Sequence, residues 1–75
     1  MPNFIAKEYD FETHTHTGVT EVYEAPSLAE AHQALLYTRR LANGAAKPGG
    51  ETHLHFRFVY VGERCWEISL EDRKP

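Results

Sequence analysis

Apolar and polar residues alternate along most of this chain, which is the pattern of strands with one buried face. Four strands are predicted, over residues 3–13, 19–24, 52–61 and 65–70. A helical pattern occupies the interval between the second and third strands. The sequence therefore predicts an α+β fold, in which one helix packs on one face of a four-stranded antiparallel sheet.

The predicted helix has a signal at each end. Ser27 is a favourable N-cap residue, and Glu30, three positions later, can complete a capping box. Asn43 and Gly44 are expected to end the helix. The stripe expected to be buried consists of Leu28, Ala31, Leu35, Thr38 and Ala42, flanked by Ala34 and Leu41.

The last two strands are predicted to pair through a three-residue turn at residues 62–64. A two-residue turn would set Phe58 opposite Glu67, so hydrophobic matching favours the longer turn. Val59, Cys65 and Glu67 would then face outward. The pairs on the core side would be Tyr60 with Trp66, Phe58 with Ile68, and Phe56 with Leu70.

A five-residue phrase occurs twice, as Glu-Thr-His-Thr-His at 12–16 and Glu-Thr-His-Leu-His at 51–55. The path of the chain brings both phrases to one end of the sheet if the strand order is 2-1-3-4. The first and third strands would then pair, with Phe11 opposite Phe56, Tyr9 opposite Phe58, and Asp10 opposite Arg57. In the first strand, Ile5, Tyr9 and Phe11 would face the core.

Paired imidazoles and carboxylates are suitable donors for a divalent ion such as zinc. The principal expectation is that no cofactor is bound and that these residues form a polar sheet face. The alternative is a metal-binding module built on paired His-x-His strands. Its candidate ligands are His14, His16, His53, His55, Glu12 and Glu51.

The chain is short, at 75 residues, and we expect one domain over residues 1–71 followed by a flexible tail at 72–75. Cys65 is the only cysteine, which excludes an internal disulfide. No apolar run approaches the roughly 20 residues of a membrane span, so we expect a cytoplasmic protein. A flat sheet face excludes water poorly, and we expect no enzymatic activity.

Charge is unevenly distributed, because residues 1–30 hold six acids and one base, a balance of −5 within a total of −3. That imbalance disfavours sequence-independent phosphate binding and suits a basic protein partner. A nucleic-acid-binding domain remains an alternative, because Arg39, Arg40 and Lys47 gather near the helix end. The candidate partner-binding residues are the acidic ladder of Glu8, Asp10 and Glu12 on the open sheet face, and Tyr37 and Arg40 on the outer helix face.

Three features resemble small phage-encoded proteins, including some anti-CRISPR inhibitors: the order of the strands, the phrase at residues 23–31, and the hairpin residues 62–66. The resemblance implies a non-enzymatic inhibitor that blocks a host protein or nucleoprotein complex by occupying its nucleic-acid or partner surface. It carries over no individual functional residue. A homodimer is also compatible with so short a chain.

Overall fold

Five strands and one helix make up the part of the chain that the computed structural model describes, residues 1–49 and 56–71. The α+β class and the antiparallel sheet are confirmed, whereas the sheet has five strands rather than four. The predicted tail at 72–75 lies outside the described residues. The elements are β1 (Asn3–Asp10), β2 (Thr15–Glu24), α1 (Leu28–Asn43), β3 (Lys47–Pro48), β4 (Phe56–Val61) and β5 (Arg64–Leu70).

The strand order is β2-β1-β5-β4-β3. The third and fourth predicted strands correspond to β4 and β5, so the predicted order 2-1-3-4 is wrong. The last strand, β5, lies between β1 and β4, and Tyr9 pairs with Cys65 instead of Phe58. A central position lets β5 pair its backbone on both sides while α1 covers its apolar face. The short β3 adds an edge strand in which Pro48 is tolerated, because an edge position does not need every N–H group.

The predicted register of the β4–β5 hairpin is also wrong. Val61 pairs with Arg64 and Val59 with Trp66, so the turn contains only Gly62 and Glu63. Gly62 has φ of 58°, the left-handed backbone that a two-residue turn requires at its first position. Turn geometry thus outweighs hydrophobic matching, and Phe58 lies opposite Glu67.

The faces of β4 and β1 are the reverse of those predicted. Val59 is fully buried, and in β1 the core residues are Phe4 and Ala6 rather than Ile5 and Tyr9. A one-residue change of register exchanges the two faces of a strand, which accounts for the error in β4. In β1 both faces carry apolar residues, so alternation alone does not decide between them.

The helix ends are confirmed. Ser27 Oγ accepts the Glu30 N–H at 3.4 Å, and Gly44, at φ of 86°, donates its N–H to the Arg40 carbonyl at 2.9 Å. The buried face contains Ala31, His32, Leu35 and Leu36. Leu41 and Ala42, which were predicted to be buried or to flank the buried stripe, are exposed.

His32 is a buried polar residue that connects the helix to the sheet. Its Nε2 lies 2.8 Å from the Phe58 carbonyl, which also accepts the Gly49 N–H at 2.7 Å. A Cβ at Gly49 would come within 2.7 Å of both the Phe58 Cβ and the Tyr60 ring. This glycine therefore allows the chain after β3 to lie close against β4.

We predict that Leu35→Ala lowers the free energy of unfolding by about 2 to 5 kcal/mol, because it leaves a cavity under the helix. Leu35 is 0% exposed, whereas Leu41, its matched control, is 70% exposed. Leu41→Ala is expected to change stability by less than about 0.5 kcal/mol. Urea unfolding followed by Trp66 fluorescence measures both values, and similar losses would contradict the observed helix orientation.

Candidate binding pocket on the open sheet face

The face of the sheet turned away from α1 carries the candidate site. Because Val59, Trp66 and Ile68 are buried against the helix side, their strand neighbours face the opposite way. Tyr60 and Cys65 pair on that open face, as do Tyr9 and Cys65. Three strands thus contribute side chains to one surface.

A pocket of about 340 Å³ lies on this open face, at the end of the sheet where β1 and β4 end. The pocket is open to solvent, and its wall contains the rings of four Phe and Tyr residues, one thiol and the carboxylate of Glu67, while Asp10 lines it at the end of β1. The lining residues are Tyr9, Asp10, Phe11, His14, Phe58, Tyr60, Cys65 and Glu67.

Phe11 forms one rim of the pocket. Its ring meets the Tyr60 ring edge to face, with centroids 5.9 Å apart and planes at 80°. The two rings remain 53% and 38% exposed. The Phe11 N–H donates to the Glu63 carbonyl at 2.9 Å, which ties this rim to the β4–β5 turn. Exposed aromatic rings held by backbone contacts are suited to anchoring a partner.

Asp10 shapes the turn that carries Phe11. Its Oδ1 accepts the Glu12 N–H at 2.9 Å, and its carbonyl accepts the His14 N–H at 2.8 Å. These bonds end β1 at Asp10, whereas the sequence predicted a strand to residue 13. An aspartate that binds backbone groups just after it favours a turn over a continuing strand.

Glu67 gives the pocket a negative charge. Burial raises the pKa of the Cys65 thiol, and the Glu67 carboxylate raises it further. The same two causes, with a smaller effect from Cys65, raise the pKa of the Tyr9 phenol. Both groups are therefore protonated at neutral pH, and Cys65 is a poor nucleophile.

The acidic ladder lies elsewhere than predicted. Glu8 and Asp10 share a face with Phe4 and Ala6, which is the helix side rather than the open side. Arg64 lies 4.0 Å from the Glu8 carboxylate and 3.5 Å from that of Asp10. Thr17 Oγ1 also donates to Glu8 Oε1 at 2.8 Å. These carboxylates contact groups of the same chain, while Glu12 is exposed in the turn.

The two predicted helix residues lie where expected. Tyr37 is 66% exposed, and Leu41, one turn later, is exposed beside it. Arg40 is also exposed, and its Nε donates to the Ala46 carbonyl at 3.2 Å. The outer helix face thus presents two apolar residues, and a partner-binding role for Tyr37 and Arg40 remains a prediction.

The first histidine phrase spans a turn and the start of β2, not a single strand. His14 has a left-handed backbone, with φ of 58°, and its ring lies 6.1 Å from that of Phe11. The His16 ring lies 5.2 Å from that of Tyr9. Within residues 1–49 and 56–71, no group of three or more His, Cys, Asp or Glu side chains could hold a metal ion. Glu51, His53 and His55 lie outside the described residues, so a zinc site built with them remains a prediction.

A polar cluster that the sequence did not reveal covers the core on the helix side. The Arg39 guanidinium carbon lies 4.6 Å from the centroid of the Trp66 ring. Arg39 Nη2 donates to Glu21 Oε2 at 2.7 Å, and Tyr23 donates its hydroxyl hydrogen to the other oxygen of Glu21. Burial, followed by this hydrogen bond, raises the pKa of Tyr23 to about 12. Arg39 was assigned to a basic cluster, but its side chain is mostly buried.

Comparison with known proteins gives no family for this chain: no protein-family model, curated protein or solved structure matches it. The resemblance to anti-CRISPR inhibitors therefore remains a prediction. In the part of the chain that the structure describes, no helix combines the length and the apolar character needed to cross a membrane.

We predict that part of the stability supplied by Tyr23 is lost at high pH. The native state holds the phenol proton more tightly than the unfolded state, so this contribution is complete below pH 10.0 and falls towards pH 12. Urea unfolding of the wild type and Tyr23→Phe, from about pH 8 to about pH 11, should show the stability gap narrowing. Tyr37→Phe is the exposed control, and a constant gap for Tyr23→Phe would contradict the prediction.

We predict that Glu67→Gln makes Cys65 easier to alkylate, because removing the negative charge lowers the pKa of the thiol. Iodoacetamide rates measured against pH should show a midpoint at lower pH than in the wild type. Glu63→Gln removes a carboxylate from the neighbouring turn and should leave the midpoint unchanged. An unchanged midpoint in Glu67→Gln would mean that this charge does not act on the pocket.

Proposed function

We propose that this protein is a small non-enzymatic binding domain that recognises a protein partner through the pocket on its open sheet face. The observation that carries the proposal is a concave site with four aromatic rings, of which Phe11 and Tyr60 are 53% and 38% exposed. Aromatic residues are enriched at protein interfaces, where they bury a large area with few rotatable bonds.

The chemistry of the pocket favours binding over catalysis. Cys65 has a raised pKa and is protonated at neutral pH, so it does not supply the thiolate that nucleophilic catalysis needs. The pocket is also open to solvent, which weakens the electrostatic stabilisation of a transition state.

The charge of the pocket favours a protein over a nucleic acid. Aromatic rings on an open sheet can stack on bases, but such surfaces combine the rings with a basic groove. This pocket is lined by two acidic residues, and no lysine or arginine is among its lining residues. Phosphates would be repelled there, whereas a basic or neutral protein segment would not.

The inhibitory role implied by the sequence resemblance fits within this proposal. A domain that binds a basic surface of a host protein or nucleoprotein complex would block that surface by occupying it. The pocket then replaces the acidic ladder as the proposed contact, because Glu8 and Asp10 already contact Arg64. The outer helix face is the second candidate surface, carried by the exposure of Tyr37 and Leu41.

We predict that Phe11→Ser combined with Tyr60→Ser weakens partner binding without unfolding the domain, because neither residue is part of the core and the two are already 53% and 38% exposed. A random peptide display library would be selected on the wild type, and the affinities of enriched peptides would be measured by calorimetry. The pocket variant should bind them at least about 10-fold more weakly, the loss expected when aromatic anchors are truncated.

Tyr37→Ser combined with Leu41→Ser is the control, since it removes one aromatic and one apolar side chain, 66% and 70% exposed, from the outer face of the helix. This control should bind the selected peptides as the wild type does. Loss of binding in the helix variant alone would move the interface to α1. Failure to enrich any peptide sensitive to the pocket variant would overturn the proposed function.

A further inference from the structure

We propose that the pocket accepts one cationic side chain, an arginine or a lysine, from the protein partner. This inference rests on the proposed function and specifies which group of the partner enters the site. Two features carry it: the number of aromatic rings around the pocket, and a half-buried carboxylate among them to which no side chain in the described part of the chain is bonded.

The rings supply the first part of the recognition. Tyr9 comes from β1, Phe58 and Tyr60 come from β4, and Phe11 closes the rim by its edge-to-face contact with Tyr60. The faces of aromatic rings carry partial negative charge, so a cation within about 6 Å of a ring centre is attracted. Several rings around one pocket add such attractions for a single cation while also covering its apolar stem.

The carboxylate of Glu67 supplies the second part. Glu67 is half-buried, and among residues 1–49 and 56–71 no side chain forms a hydrogen bond or an ion pair with it. Asp10, the other acid of the pocket, lies 3.5 Å from Arg64 and is already balanced. A partly buried carboxylate without a partner is costly, and an incoming cation would offset that cost.

Among the residues that the structure describes, Lys7 is the base that competes for Glu67. Lys7 lies directly opposite Glu67 in the register of β1 and β5, although it does not line the pocket. Its positive charge weakens the negative potential that Glu67 creates in the pocket, and salt limits the distance over which this effect acts. Removal of Lys7 should therefore strengthen the binding of a cation, whereas removal of the Glu67 charge should weaken it.

The size of the pocket limits what enters it. A volume of about 340 Å³ is near the lower end of the range for small-molecule sites. One long side chain fits such a space, and the open wall leaves room for the backbone that carries it. The occupant is thus a side chain of an extended segment of the partner rather than a large ligand.

The probes that test this inference are four acetylated and amidated peptides, Gly-Ser-X-Ser-Gly, in which X is arginine, lysine, citrulline or norleucine. Citrulline keeps the shape of arginine without the charge, and norleucine keeps the apolar stem of lysine. Binding would be followed by amide NMR shifts of Tyr9, Phe58, Tyr60 and Cys65. We expect the arginine and lysine peptides to bind at least about 5-fold more tightly than their neutral counterparts.

Three variants separate charge from hydrophobic contact. Glu67→Gln should weaken the cationic peptides by about 5-fold or more and leave the neutral peptides unchanged, whereas Lys7→Gln should strengthen the cationic ones. Tyr60→Phe keeps the aromatic face and should retain the preference, but Tyr60→Leu should reduce it. Preserved amide shifts in the helix confirm that each variant is folded.

Equal binding of charged and neutral peptides would overturn the inference, as would the absence of saturable shifts at about 10 mM peptide. Tetramethylammonium binding as tightly as the lysine peptide would also overturn it, by assigning the pocket to a free small cation. The proposed function is judged separately, by whether display selection yields peptides that depend on Phe11 and Tyr60. Selected peptides that depend on the pocket but contain no required cation would reject this inference alone.

Discussion

The burial of Trp66 and Ile68 under α1 is the constraint on which the rest of the structure depends. Both side chains are essentially inaccessible, and each contributes on the order of 2 kcal/mol through the area removed from water. Their strand, β5, lies third of the five strands, where β1 and β4 satisfy its backbone hydrogen bonds on both sides. Once β5 is fixed, the registers of β1 and β4 determine which face every other strand residue occupies.

The open face follows from that arrangement. A single helix covers only one side of the sheet, whereas β1 and β4 carry apolar residues on both of their faces. The rings of Tyr9, Phe58 and Tyr60 therefore lie opposite the core, and with Phe11 they surround a pocket. Gly62, with its left-handed backbone, permits the two-residue turn that sets the register of β4 and β5. This register places Val59 on the helix side and Phe58 and Tyr60 on the open side.

Some charged side chains cover the core or pair with other residues of the chain, and others are left to bind a partner. Arg39 lies over Trp66 and is held by Glu21, while Arg64 lies near Glu8 and Asp10. Such pairs add little stability where they are exposed, but the partly buried Arg39 also excludes water from the Trp66 ring. The acidic excess of the first thirty residues is thus partly matched by bases distant in sequence.

The sequence by itself determined the features that are encoded within a few neighbouring residues. Ser27 and Gly44 define the helix ends through local hydrogen bonds and backbone angles, and the alternation in β5 correctly assigned Trp66 and Ile68 inward and Cys65 and Glu67 outward. Strand order, the fifth strand, and the faces of β1 and β4 were decided only by the tertiary structure. Phe4 and Ile5 are both apolar neighbours, so only packing against α1 selects between them, and a one-residue shift reverses a whole strand. The pocket depends on those long-range choices, which is why the sequence assigned its aromatic rings to the core.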